Sequence, residues 1–565
     1  MSRSLPRLPR LPGRAPALLA LALLPVLPAL GTAQACDASP SDAVGSLLRN
    51  RLEVLGAMGR LSAAGEQIRA LVAVPRFYED RGWTPAWIVD GRPSSCAGAV
   101  AAALRRAGDD ALDPADYHLQ PLTRLLVRAR GGGASPEELA ELDLLLTDAF
   151  LVLGSHLHQG RVNPVSLEAE WLANRRRLDM TDVLERALAS GDVAGALEAL
   201  RPGQPEYRLL RDKLEDLRAV QASGGWETVP DGATLRPGED APRVPALRRR
   251  LLAAGDLALG DDGEGTRYDA DLARAVARFQ LRHGLDPDSA VGARTLEELN
   301  VPVDARIRQV AVNLERWRWL PEELGRTHLR VNIAGYSVEV REEGDVVLDM
   351  RAVVGRTYRQ TPMFSASMTY LVLAPFWHVP PGIAANDKLP ELRRNPGYVA
   401  AQGMTLLDQA THRAVDPATV DFDALTGAEF NRRYRLRQDP GPLNALGKVK
   451  FMFPNRHNVY LHDTPSRELF ARTERAFSSG CIRVERPMEL AEHLLRADPS
   501  WPSSRIREVA RGTVETTVRL AEPVSVHLLY WTAFVDADGR IHFRSDVYQR
   551  DTRVRRALED DPPSL

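Results

Sequence analysis

The chain has 565 residues, 26% of them charged and 44% hydrophobic, so it is long enough for several separate cores and ordinary in polarity for folded protein. A formal net charge of -2 argues against a nucleic-acid binder as a whole. Beyond the N-terminal stretch, nothing reaches the roughly 18 uninterrupted apolar residues that a membrane span requires.

The first segment reads as an export signal. Arg3, Arg7, Arg10 and Arg14 precede any acid, Ala15 to Leu30 is apolar, and Ala33-Gln34-Ala35 offers the small residues a signal peptidase needs. Cleavage after Ala35 would leave Cys36 first, in a more acidic mature chain at home in the periplasm. An uncleaved anchor or a lipid-tethered Cys36 is the alternative. Only three cysteines are present. In an oxidising space Cys36 and Cys96 are able to pair, which leaves Cys481 as a lone thiol and a candidate reactive group.

From about Ser41 to Val220 the apolar residues recur at three- and four-residue spacing, as in Leu139, Leu142, Leu145, Phe150, Leu153 and Leu157, which predicts a helical scaffold over 36–235. Its aromatic cluster, YEDRGWTPAW with Tyr78, Trp83 and Trp87, reads more readily as core than as ligand surface. The stretch Ala222–Pro242 is rich in Gly and Pro and reads as a linker. A compact unit of three short helices over 243–302 follows, with apolar faces at Leu247 and Leu251, at Leu272, Val276 and Phe279, and at Leu296 and Leu299. From Thr327 the period changes to two, with Leu329, Val331 and Ile333, then Val338 and Val340, predicting a mostly-β domain over 327–545. Within it, 388–442 loses the alternation and reads as a helical insertion over the sheet, placed as lids and substrate selectors often are. The whole is multidomain α+β.

Chemistry concentrates in YLHDTPSRELFARTERAFSSGCIRV. His462 ends a strand-like run, and Cys481 follows by 19 positions after Ser478-Ser479-Gly480. A thiol with an ordinary pKa of roughly 8.5 is only partly ionised at neutral pH, so a nucleophilic cysteine needs a base, and an imidazole can take its proton and return it to a leaving amine. Asp463 is a poor orienter for His462, because neighbours on a strand face opposite ways, and a backbone carbonyl is the better choice. Arg483 shares the face of Cys481 in an extended segment and is either a carboxylate binder or a structural partner of Glu485 or another acid. Tyr460 shares the face of His462 and is a candidate pocket wall. Trp377 is another candidate, though a core tryptophan would read identically.

Two sets of motifs carry family resemblances. The segments LRRRLLAAGDL, YDADLARAVARFQLRHGL and VGARTLEELN resemble the three-helix peptidoglycan-binding domain of cell-wall enzymes. His462-Asp463-Thr464 and Ser478-Ser479-Gly480-Cys481-Ile482-Arg483-Val484, together with VNIAGYSVEV, FWHVPPGI and GPLNALGKVKFMFPN, resemble the catalytic domain of the large periplasmic L,D-transpeptidases. Ser479 stands where many smaller members carry a second histidine. The resemblance implies a cysteine acyltransferase that needs no cofactor. Cys481 would be the nucleophile, His462 the base and then acid, and the Gly480 and Cys481 amides the oxyanion donors, with Ser479, Arg483, Tyr460 and Trp377 around the substrate. Its substrates would be a tetrapeptide stem as donor and a second stem as acceptor, giving 3→3 cross-links with loss of D-alanine. Other cell-wall synthesis enzymes are expected partners, nucleic acid is not, and carbapenems would acylate the thiol.

Three rivals remain open at this level. The same acyl-enzyme, resolved by water or by a lipoprotein lysine, would make a carboxypeptidase or an attaching enzyme. In the second, His457, His462 and Cys481 would hold a metal, although a zinc site would want a further ligand. Lastly, the chain would be a wall-binding protein with an inert, buried Cys481.

Overall fold

The structure is a computed structural model that describes residues 42–58, 60–167, 178–258 and 264–560. The expected export signal and Cys36 lie outside the described residues. Among the described residues no helix is long and apolar enough to cross a membrane. Cys96 is disulfide-bonded, and Cys481 is the free cysteine among them.

The N-terminal unit is built around α1 (Asp42–Met58) and the long α2 (Pro136–Gln159). α2 starts cleanly because Ser135 and Glu138 form a capping box around Pro136 at the first turn. Its side chains are buried almost all round, as for a helix at the centre of a core. The acids within it serve as caps for other segments. Asp143 accepts from Tyr78 Oη (2.6 Å) and from the amides of Ala86 and Trp87, and Asp148 accepts from the Ala70 amide and contacts His118 Nε2 at 2.7 Å. Tyr78 and Trp87 of the aromatic cluster are therefore fully buried core, whereas Trp83 is half-buried.

α3 (Pro205–Ala222) was expected inside this scaffold, yet its buried face, Tyr207, Leu210, Leu214 and Leu217, joins the core of the β domain together with α7 described below. Its outer contacts go both ways: Glu206 at its start pairs with Arg330 and Arg341 of the sheet, while Tyr207 and Arg211 reach Asp110 of the N-terminal unit. The three-helix unit consists of α4 (Val244–Ala253), α5 (Ala270–Arg282) and α6 (Ala293–Leu299), and all seven apolar residues singled out from its periodicity are buried together. α7 (Val303–Arg318) leads from it to the sheet and stacks Trp317 on Trp531.

The β domain runs β1 (Thr327–Asn332), β2 (Ser337–Glu342), β3 (Asp345–Gly355) and β4 (Phe364–Leu373), then, after an insertion that holds β5 (Trp377–His378), β6 (Met404–Asp408) and β7 (Tyr434–Gln438), continues as β8 (Val449–Met452), β9 (Leu461–His462), β10 (Ala476–Ser478), β11 (Ile482–Val484) and β12 (Thr516–Leu529). The main sheet has the order β10-β3-β11-β9-β8-β4-β12-β1-β2, and β2 also pairs with β3, so eight strands close on themselves and β10 adds to the outside of β3. Most neighbours are antiparallel, but β9 and β11, β10 and β3, and β12 and β1 are parallel. β1 is buried on both faces although its sequence alternates, because α3 covers the polar side through the Arg330–Glu206 pair. α8 (Pro487–Leu495) follows β11, and the chain ends in the hairpin β13 (Ala533–Val535) and β14 (Ile541–Phe543) and a last helix.

The insertion departs from the helical expectation. It contains its own antiparallel sheet, β6-β7-β5, whose buried Leu406 and Leu436 face a core shared with Trp377, Phe430 and Leu446. Its two longer strands, MTLLD and YRLRQ, carry few apolar residues, Leu436 being the single aliphatic one in the second, so little alternation marks them in the sequence. That core also reaches beyond 388–442, from Trp377 to Leu446.

Candidate active site

β9 and β11 set the site by register. In this parallel pair Leu461 lies opposite Ile482 and His462 opposite Arg483, and the Ile482 amide donates to Tyr460 O at 3.1 Å. Strand periodicity then puts Tyr460 and His462 on one face, and Cys481 and Arg483 beside them on the same face. All four line one cavity of about 630 Å³ with Trp377, Ser479, Arg356, Arg359 and Lys388.

His462 is 4% exposed, and its Nδ1 lies 2.5 Å from the Asp463 carbonyl oxygen. A carbonyl can only accept, so Nδ1 carries the proton and Nε2 keeps its lone pair. The Asp463 carboxylate points away. It accepts from the amides of Lys448 (2.9 Å) and Thr464 (2.7 Å) and pairs with Arg467. This seat exists because residue 447 is glycine at φ +58°, where a Cβ would lie 2.3 Å from the Asp463 carboxyl carbon. Tyr460 packs its ring edge-on against the imidazole, with centroids 5.7 Å apart.

Burial, aided by the Arg483 guanidinium, holds His462 down at about 3, against the pull of its bond to Asp463. Burial likewise pushes the Cys481 thiol up to about 11, opposed by hydrogen bonds from Tyr460 and by Arg483. At pH 7 both groups therefore rest neutral, one as a thiol and the other as an imidazole. The thiol also lies 3.9 Å from Asn458 O.

The turn before Cys481 is tightly held. Ser478 Oγ donates to Cys481 O and accepts from the Gly480 amide at 3.1 Å, while Thr361 Oγ1 donates to Gly480 O at 2.8 Å. Gly480 sits at φ +114°, a conformation reserved for glycine. The expectation of paired Gly480 and Cys481 amides as oxyanion donors needs correcting here, because Ser478 already occupies the Gly480 N–H. Ser479 is exposed and accepts from Arg359 Nη1 at 3.1 Å. Arg483 does not pair with Glu485, whose carboxylate is held by Arg351, and its buried Nε has no partner. Trp377 is both core and wall, 9% exposed, with Lys388 Nζ 5.7 Å above its ring. Among the described residues no three His, Cys, Asp or Glu side chains form a group able to hold a metal.

Several groups around the thiol were not singled out from the sequence. Thr361 lies over a hundred residues before the turn it braces, so only the fold joins them. Arg359 and Asp387 form a two-point ion pair that ties the loop after β3 to the insertion. The cavity is covered by the insertion's root, residues 380–388 and 445–446, rather than by the body of 388–442.

Comparison with known proteins matches residues 72–214 to a scaffold domain, 240–299 to a peptidoglycan binding domain and 326–518 to the L,D-transpeptidase catalytic domain. A Haemophilus influenzae protein assigned by name to the L,D-transpeptidases is 33% identical over 250 residues, which are 44% of this chain and 49% of that protein. The chain thus spans about half the length of the curated relative it matches. Solved L,D-transpeptidases from Xylanimonas cellulosilytica (18% identity, 53% of this chain and 98% of that chain, TM-score 0.18) and Stackebrandtia nassauensis (13%, 54% and 96%, TM-score 0.21) are also similar. By sequence, residues 326–518 are thus similar to the L,D-transpeptidase catalytic domain, and the stretches before them to a scaffold domain and a peptidoglycan binding domain.

Proposed function

We propose that the protein is an exported, periplasmic L,D-transpeptidase that forms 3→3 cross-links between peptidoglycan stems through an acyl-enzyme on Cys481. The observation that carries this reading is the placement of Cys481, His462, Tyr460 and Arg483 on one face of two paired strands, around one cavity.

In the first half-reaction the Cys481 sulfur attacks the carbonyl of the third stem residue. His462 Nε2 takes the thiol proton and passes it to the nitrogen of the departing D-alanine, leaving a thioester. In the second, the amine of another stem attacks the thioester, His462 takes the amine proton, and the proton returns to the sulfur as the new amide forms. The oxyanion falls to the Cys481 amide. Donors of this kind contribute about 2.7–4 kcal/mol each in comparable enzymes. Arg483, which makes no ion pair among the described residues, suits a substrate carboxylate by a bidentate contact.

The test is incubation of the mature chain with disaccharide-tetrapeptide, followed by weighing of the products. A dimer lacking one D-alanine is expected, and a tripeptide alone would mean a carboxypeptidase. A carbapenem adduct should appear by mass in the parent and be absent from a folded Cys481→Ala variant. Unchanged acylation of His462→Ala would remove that residue from the chemistry.

A further inference from the structure

The loop after β3, residues 355–361, carries Thr361, whose hydroxyl donates to Gly480 O and accepts from the Gly355 amide at 2.9 Å. The loop folds back so closely that a Cβ on Gly355 would lie 2.1 Å from Arg359 O. It also packs against the turn of the nucleophile, since a Cβ on Gly480 would meet Gln360 O at 3.7 Å. The placement of Gly480, and with it Cys481, therefore depends on what holds this loop.

The holder comes from the far end of the chain. Tyr548 is buried, and its Oη donates to Gly355 O at 2.5 Å and accepts from the Thr361 amide at 3.3 Å. Arg550 is buried too, and its Nη2 donates to Thr361 O at 3.2 Å and to Gln360 Oε1 at 3.0 Å. Both backbone groups of Thr361 are thus bound by residues beyond the stretch matched to the catalytic domain. Buried backbone groups outside regular structure need partners of this kind.

These two side chains are themselves fixed. Tyr548 stacks on Tyr530 with ring centroids 5.7 Å apart, and the Arg550 guanidinium lies 5.0 Å and 5.2 Å from the Tyr548 and Tyr530 centroids. Tyr530 Oη donates to Asp546 at 2.7 Å, and the same carboxylate accepts from the amides of Arg550 and Asp551, both at 2.8 Å. The last helix, α9 (Asp551–Glu559), is gripped at both ends. Asp551 pairs with Arg316 of α7 at 2.6 Å, and Ala557 O accepts from Arg161 of the N-terminal unit at 2.9 Å.

We infer that Tyr548 is a positioning residue for the acyl transfer, fixing the Gly480–Cys481 turn through Thr361. The inference rests on Cys481 being the nucleophile. Without the hydroxyl, Gly355 O loses that donor and the Thr361 N–H loses that acceptor, both in a buried place, so the loop has reason to move. A shift of about 1 Å at a reacting group can cost on the order of a hundredfold in rate.

The test uses the full mature chain carrying Tyr548→Phe, which keeps the ring stack and removes only the hydroxyl. Carbapenem acylation of Cys481, timed by mass spectrometry, should slow at least about tenfold at saturation. The half-saturating concentration should stay within about twofold of the parent, and the melting temperature should be nearly unchanged. Thr361→Val should slow acylation similarly, and the double variant should be no slower than the worse single one, because both act along one path. Amide exchange over 476–483 should quicken in each variant. If Tyr548→Phe fails to fold, Arg550→Lys keeps the buried charge, loses the bonds to Gln360 and Thr361, and should show the same pattern. An unchanged acylation rate, losses that multiply in the double variant, or unaltered exchange over 476–483 would each overturn the inference. A parent that carbapenems do not acylate would refute the proposed reaction instead, and exchange would still decide whether Tyr548 holds the turn.

Discussion

At the scale of single residues, the resting charge of the Cys481–His462 pair follows from burial outweighing every helper. With the thiol pushed up to about 11, the thiolate fraction at pH 7 is at least a hundredfold below that of an ordinary exposed cysteine. Alkylation of Cys481 by iodoacetamide should therefore be slow at pH 7 and climb through pH 9 to 11. A fast rate, level from pH 6 upward, would mean a standing ion pair. The glycine behind the histidine makes a second case. Gly447→Ala would drive a methyl group into the Asp463 carboxyl at an unfavourable φ and shift the carbonyl that orients His462. A loss of about 1–3 kcal/mol in denaturant stability and slower carbapenem acylation are expected, and an unaltered protein would show that the seat is not needed.

At the scale of elements, the insertion touches the reacting groups through its root. The Arg359–Asp387 pair is partly exposed, so it contributes less than about 1 kcal/mol to stability. It does, however, set where residues 380–388 sit over the cavity. Asp387→Ala should leave the melting temperature nearly unchanged and alter KM for the stem peptide several-fold in steady-state assays. A large fall in stability with unchanged KM would make the pair structural. The same scale explains α3, a helix read from its spacing as scaffold. Spacing reveals that a helix has an apolar face. It does not say which of two neighbouring cores will receive that face.

For the whole molecule, buried neutral histidines couple the fold to pH. Burial holds His156 and His462 at about 3 and His328 at about 4, and depresses His283 and His527 as well. In the unfolded chain these groups return to roughly 6.5. Between the two values the unfolded state binds more protons, so stability is full above pH 6.5 and falls as pH drops toward 4, by up to about 1.4 kcal/mol per unit for each histidine. Urea midpoints at pH 7.5 and 5.5 should show a clear loss at the lower value. Equal midpoints would mean that these histidines are charged in the folded state.

The period of the apolar residues was enough to show a helical first part, a three-helix unit and a β domain, because a change from 3.6 to 2 residues per repeat is written into the chain itself. The chain also shows a histidine and a cysteine 19 positions apart in one short segment whose motif is local. Register between β9 and β11 turned that motif into a face. The fold also set Thr361 against Gly480 and closed the sheet through the pairing of β2 with β3, and the turn gave Ser478 the Gly480 amide. These contacts join residues far apart in sequence or depend on atoms of the backbone, which no side-chain pattern records. Only the folded chain decides them, because they arise from which strands lie side by side and which charges are left without partners once the cores have formed.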